Sequence, residues 1–202
     1  MIVPIIIGFV ALVLILGAVG YAVQIYNQLV NVKKQTEQAW SNIDVLLKQR
    51  SDELPKIIDT VEQYMDYEQE TLQQVIEARS KAQQADDPEQ QAKADSELQN
   101  ALGNLFALAE DYPDLKANES FQQLQDRISS IEEQISDRRE LYNEAATNYN
   151  TLINQIPYVF VANQMSLSEK KLYEVDEADK QDIDVGDAFG NDKTKQTTKQ
   201  NR

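Results

Sequence analysis

Apolar residues run almost unbroken from Ile2 to Val23, and the Tyr21 hydroxyl is the one polar side-chain group among them. At about 1.5 Å per residue a helix over this run is roughly 33 Å long, enough to cross a hydrocarbon core of ~30 Å. Beyond Gln24 the pattern changes to apolar steps of three and four, the spacing of one helix face. Four helices are expected from there to Ile156. The first leaves the membrane with Leu29, Val32, Thr36, Trp40, Ile43 and Leu47 on its inner face and is expected to stop at Pro55, because proline cannot donate in a helix interior. The second starts at Pro55, which suits a first turn, and carries Ile57, Val61, Tyr64, Glu68, Leu72, Val75 and Arg79. Asp86-Asp87-Pro88-Glu89-Gln90 puts a capping Asp before a first-turn Pro with Gln three residues on, which predicts the start of the third helix. Its face is Leu98, Leu102, Leu105, Phe106 and Ala109, and Tyr112-Pro113 ends it.

The fourth helix, from about Asn118 to Ile156, has an inner row of Phe121, Leu124, Ile128, Ile131, Ile135, Arg138, Tyr142, Ala145, Tyr149, Leu152 and Ile156. These steps alternate three and four, a heptad seam of coiled-coil type. Sister helices or a second copy would fill it equally well, and short connections favour the sister helices. Pro157 ends this helix, and Tyr158-Val159-Phe160-Val161-Ala162 then meets either the base of the bundle, as a strap, or the membrane interface. From Glu174 onward eight acids, five bases and almost no large apolar residues predict disorder. Asp182-x-Asp184-x-Gly186 has the start of a calcium loop without its closing Glu and is read as solvated tail. The fold class is therefore all-α: a transmembrane anchor over residues 1–25, an antiparallel four-helix bundle with long helices over 26–162, and a polar, mostly disordered tail over 163–202. One mismatch stands out. The fourth helix is about 58 Å long and the first only about 36 Å beyond the membrane, so a bend or break is expected.

Charge sharpens this picture. All 34 acidic and 19 basic side chains lie from Lys33 onward, which separates a lipid-facing segment from a water-facing one. Lys33 and Lys34 follow the span, and the positive-inside rule places the rest of the chain in the cytoplasm, as a single-pass protein of the cell membrane. No basic residue precedes the apolar run, so it is read as an uncleaved anchor rather than a signal peptide. Ala18 and Ala22 have the spacing of a helix-pairing motif but are read as ordinary span residues. A formal charge of −15 disfavours nucleic acid. It also suits a high-salt cytoplasm, where a dense carboxylate surface stays solvated.

The chain has neither Cys nor His, which removes disulfides, Ser-His and Cys-His dyads, zinc sites with His or Cys ligands, and the Glu-x-x-His di-iron site of helix bundles. What remains notable is charge on inner faces. Arg50 falls seven after Ile43, Glu68 and Arg79 lie in the second helix's apolar row, and Glu132 and Arg139 flank the fourth helix's seam at heptad spacing. Buried charges need partners, so these five are expected to form an ion-pair layer that fixes helix register. On that reading Arg139→Ala costs about 3 kcal/mol, because it strands a buried carboxylate. The alternative use of the layer is as a set of Arg forks for an anionic ligand or partner segment.

Several strings taken together resemble the LemA family of membrane-anchored helical proteins. They are Tyr26-Asn27-x-Leu29-Val30, Ala39-Trp40-Ser41-Asn42-Ile43-Asp44-Val45, Arg50 with Pro55, the segment Tyr112-Pro113-Asp114-Leu115-Lys116-Ala117-Asn118-Glu119, and the pairs Tyr142-Asn143 and Tyr149-Asn150. The five layer residues also match. The chain departs at Gln49, Glu53, Gln63 and Tyr67, where the family usually has Arg, an apolar residue, Gly and His. The resemblance implies a short extracytoplasmic N-terminus, one membrane helix and a cytoplasmic four-helix domain, with no established activity. No cofactor and no catalysis are expected; a scaffold that binds protein partners or itself is the leading reading. A ligand-responsive sensor and a metal-dependent enzyme are the alternatives.

Overall fold

The computed structural model describes residues 2–65 and 68–174, and every regular element among them is a helix. α1 spans Ile2–Glu62, α2 Gln69–Gln84, α3 Pro88–Ala109, α4 Pro113–Lys116, α5 Glu119–Asn154 and α6 Tyr158–Gln164. All side chains from Ile2 to Gln24 are exposed, as expected of a segment whose solvent is lipid. The same helix then becomes the spine of the domain, with Ile25, Leu29, Val32, Ile43, Leu46, Leu54, Ile57, Ile58 and Val61 buried.

The expected break at Pro55 is absent, because α1 carries Pro55 in its interior. Proline at this position deprives the Ser51 carbonyl of its usual N–H donor four residues on. That carbonyl is served from another helix: Arg79 Nε of α2 donates to it at 3.1 Å, and Gln83 Nε2 donates to the Ser51 hydroxyl at 2.8 Å. The second helix accordingly begins at Gln69 rather than Pro55. The length mismatch disappears with the break. Residues 24–62 of α1 rise about 58 Å and the 36 residues of α5 about 54 Å, so neither helix has to bend.

α1 and α5 are antiparallel. Ile25, Leu29 and Val32 cluster with Tyr149, Leu152 and Ile153, then Ile43 with Tyr142, then Leu46 with Ile131 and Ile135. A bundle of four long helices is too uniform a description. α2 and α3 are short, 16 and 22 residues, and their hairpin packs on the far half of the spine, where Leu54, Ile57, Val61, Leu72, Val75, Leu98, Leu105, Phe121 and Ile128 share one core. Asp87 starts α3 as expected, its side chain accepting from Glu89 N and Gln90 N. At the membrane end, α6 and the chain after it take the hairpin's place, with Ala162 buried and Tyr158, Val161, Met165 and Leu167 packed beside it.

The expected inner row of α5 holds at Phe121, Ile128, Ile131, Ile135, Tyr142, Tyr149 and Leu152. It fails at Arg138 and Ile156, which are exposed, while Ala146 rather than Ala145 is fully buried. A straight helix drifts about 20° per heptad, which moves the buried face toward the next residue, from Ala145 to Ala146. Ile156 fails for another reason: α5 ends at Asn154, and Ile156 lies in the turn that follows. After α6 the chain reverses through a Schellman turn. Ser166 has φ of 52°, its N–H donates to the Asn163 carbonyl at 3.0 Å, and Leu167 N–H donates to the Ala162 carbonyl at 3.0 Å.

Arg79→Ala in the full chain should cost about 1–2 kcal/mol, since it leaves the Ser51 carbonyl short of a donor. In a Pro55→Ala background, where a backbone N–H is restored, the same substitution should cost clearly less. Urea unfolding followed by circular dichroism checks this cycle; equal costs in both backgrounds would refute the link.

Candidate functional site

Arg50 reaches the middle of the spine with 1% of its surface exposed. Its position follows from periodicity, since it continues the α1 row through Ile43 and Leu46. One side of the guanidinium pairs with Asp95 of α3 through Nη2 and Oδ1, and Nη1 donates to Glu132 Oε1 of α5 at 2.7 Å. Asp95 is itself fully buried and accepts on its other oxygen from the Tyr173 hydroxyl at 2.8 Å. Gln99 Nε2 donates to the second Glu132 oxygen at 2.9 Å. Burial works against the Arg50 charge, but Asp95 and then Glu132 outweigh it and hold the pKa above the usual value. The cluster therefore ties α1, α3, α5 and the C-terminal segment together, and among the described residues no buried side-chain nitrogen or oxygen is left without a hydrogen bond.

The segment after α6 completes the site. Asn143 donates to the Tyr173 carbonyl at 3.3 Å and accepts from the Tyr173 N–H at 2.7 Å. Asn150 treats Lys170 the same way, donating at 2.8 Å and accepting at 2.7 Å. Geometry explains the repeated Tyr-Asn pair. Seven residues of helix rise about 10.5 Å, and three residues of extended chain span about 10 Å, so two amides seven apart match two peptides three apart. Tyr142 and Tyr149 point into the core beside them, and the Tyr142 hydroxyl donates to the Lys171 carbonyl at 2.8 Å. Trp40 packs on Tyr142 and Tyr173 with ring centroids 5.3 and 6.0 Å apart. Lys171 bridges to Asp87 and Glu89 at the start of α3, both at 3.0 Å.

The five charges expected in one layer thus separate. Arg50 and Glu132 do pair. Arg79 serves the Ser51 carbonyl, and Glu68 accepts from the Tyr112 hydroxyl at 3.1 Å beside Tyr64 and Asn118, which bond to each other at 2.9 Å. Arg139 is half-buried, with its guanidinium 4.7 Å from the centre of the Tyr173 ring rather than on a carboxylate. The expected cost of Arg139→Ala falls accordingly from about 3 to about 0.5–1 kcal/mol. Tyr26, Asn27 and Asp44 are exposed, and Pro113 opens the short α4.

Three residues escaped the sequence reading. Asp95 lies three before Leu98 and seven before Leu102, in phase with the α3 face, so periodicity alone would have found it. Glu53, noted only as a departure, is 4% exposed and sits between Lys56 at 2.8 Å and Arg127 at 3.0 Å. Tyr173 was placed at the edge of a mostly disordered tail running from 163, yet residues 163–174 are held against the domain and its ring is fully buried. The Asp182 motif and the rest of the tail lie outside the described residues. No group of three or more acidic side chains that could hold a metal ion occurs among the described residues.

These features define a class: a helical domain carried without interruption on an apolar helix long enough to span a membrane, with a closed internal ion cluster. The sequence model of the LemA family matches residues 39–186, and the chain belongs to that family. It is 29% identical over 162 residues to Protein LemA of Metamycoplasma hominis, covering 80% of this chain and 74% of that one. It is also 36% identical over 69 residues to the magnetosome protein MamQ 2 of Paramagnetospirillum magneticum, and 32% over the same length to MamQ of Magnetospirillum gryphiswaldense. In both cases the match covers 34% of this chain and a quarter of the relative.

Asp95→Ala should destabilise the full chain by about 3–5 kcal/mol, because it leaves Arg50 buried with half its partners. A loss below about 1 kcal/mol in chemical denaturation would mean that water replaces the carboxylate. Alkali should act on the same region. Burial, then the charge of Asp87, pushes the Tyr142 hydroxyl up to about 12, and burial followed by Asp95 raises that of Tyr173 further. Both phenols are favoured neutral in the folded state, so their contribution is complete below the unfolded value of about 10 and falls as pH rises through the folded values. Melting temperature should therefore drop between pH 9.5 and about 11.5, and drop less in Tyr173→Phe.

Proposed function

We propose that the protein is a non-enzymatic, membrane-anchored interaction scaffold whose helical domain stands in the cytoplasm and binds protein partners. The observation that carries this reading is the continuity of α1, 61 residues from the apolar run to the far end of the domain. A helix without a hinge holds its domain at a fixed distance from the bilayer and transmits orientation, which suits a post that positions other proteins. The ion cluster fits the same reading, since Asp95 and Glu132, on two other helices, each engage one side of the Arg50 guanidinium. Lys33 and Lys34, just past the apolar run, support the cytoplasmic orientation.

A second reading has one observation in its favour. Beyond the Nε bond to Ser51, the Arg79 guanidinium has no hydrogen bond or ion pair among the described residues, and it borders a cleft of about 160 Å³ with Lys48, Arg50, Gln83 and the buried Gln91. A small anion would suit that cleft.

Capture of the full chain from solubilised membranes decides between the readings. A reproducible protein partner, with external protease failing to cut residues 33–202 in intact cells, is the expected result. Co-purification of a small anion or metal without any protein partner would overturn the scaffold, and cleavage from outside would overturn the orientation.

A further inference from the structure

Two uncharged stretches of sequence converge on one end of the domain. The first is residues 2–32, and the second is residues 145–168, which hold no Asp, Glu, Lys or Arg although 26% of the chain is charged. At that frequency about six charges would be expected in 24 residues, so the second gap needs a cause. The fold brings the gaps together: α6 and the end of α5 pack on Ile25, Leu29 and Val32, and the Tyr158 hydroxyl donates to Gln28 Oε1 at 2.7 Å. Gln28 lies five residues, about 7.5 Å, beyond Val23. The headgroup layer on each side of a ~30 Å core is about 5–8 Å deep. This end of the domain therefore reaches the depth of the headgroups.

Of the strap and interface alternatives for Tyr158–Ala162, the packing accounts for the strap only in part. Ala162 is buried, and Tyr158 and Val161 pack on the base of the spine, but Phe160 is 69% exposed and Ile156, in the turn before α6, is 80% exposed. They are among the most exposed large apolar side chains outside the span, and Tyr26 is half exposed on α1 nearby. We propose that Ile156 and Phe160 insert into the lipid interface beside the anchor, giving the domain a second membrane contact. The occupant is lipid rather than protein because the patch is continuous with the membrane-spanning helix and carries no charge to be desolvated. Aromatic rings are favoured at this depth. A single straight helix can still tilt as a whole within the bilayer; a second point of contact restricts that tilt, and α6 becomes the foot that sets it.

The absence of native Cys makes the test direct. Single substitutions Ile156→Cys, Phe160→Cys, Val45→Cys and Val13→Cys in the full chain are spin-labelled and reconstituted in phosphatidylcholine vesicles. Collision rates with oxygen, which partitions into lipid, and with a water-soluble nickel chelate are then compared. Val45, 53% exposed and about 33 Å beyond Val23, is the aqueous reference, and Val13 within the span is the lipid reference. Labels at 156 and 160 should show oxygen-to-nickel ratios several-fold above position 45 and below position 13, with helical circular dichroism unchanged. Ratios equal to that at position 45 would overturn the inference. So would low collision rates with both reagents, which would mean that protein, such as a second copy, covers the patch. An aqueous signal at position 13 would instead indict the anchor, separating that failure from this one.

Discussion

A single buried cation organises the domain. Arg50 of α1 is buried where it bonds to carboxylates of both α3 and α5, and a guanidinium in that place is tolerated only if it is paired. Asp95 and Glu132 pair with it from two different helices, so the helices cannot slide past one another without stranding a charge. Hydrophobic contact alone is permissive about register, because one leucine layer packs nearly as well as the next. The ion cluster converts a stack of similar layers into one alignment, and Tyr173 seals it from the outside by donating to the second oxygen of Asp95.

A second constraint acts through the backbone. Pro55 would ordinarily end α1, and the domain would then hang from the membrane on a helix too short to match α5. Arg79 removes the need for a break by supplying the donor that proline lacks. The two residues are 24 positions apart in sequence and on different helices, so the continuity of the spine is a tertiary property. It depends on the α2–α3 hairpin being docked, which couples the straightness of the arm to the packing of its far half.

Much of this was legible in the sequence. The span, the start of α3 at Asp87, the seam of α5 and the inward position of Arg50 all follow from composition, capping and period. Other features were not legible for identifiable reasons. A helix reads through proline only when a remote donor is present, which no local pattern reveals. A strict heptad carried on to Ile156 runs past the end of α5 at Asn154, and before that end the drift of a straight helix shifts the buried position from Ala145 to Ala146. The separation of Arg79, Glu68 and Arg139 from Arg50 reflects partners that periodicity cannot name: a carbonyl, a phenol and an aromatic face. Tyr173 was hidden because its surroundings are polar, and polar segments order only when a receiving surface exists. That surface is the pair Asn143 and Asn150, whose spacing was visible but whose purpose was not.

The way Asn143 and Asn150 hold the C-terminal segment has its own consequence. Their amides bond to main-chain atoms, so α5 presents to the chain beside it something like the edge of a sheet: paired donors and acceptors at a regular repeat. Main-chain atoms are the same for every residue but proline, so most substitutions at 170 would leave the Asn150 clasp intact. Side chains distinguish one alignment of the segment from the next, chiefly Tyr173, which plugs the interior, with Lys171 pairing at the start of α3. The path of this stretch is therefore set largely by bonds that do not depend on side-chain identity, with one buried aromatic ring serving as its key.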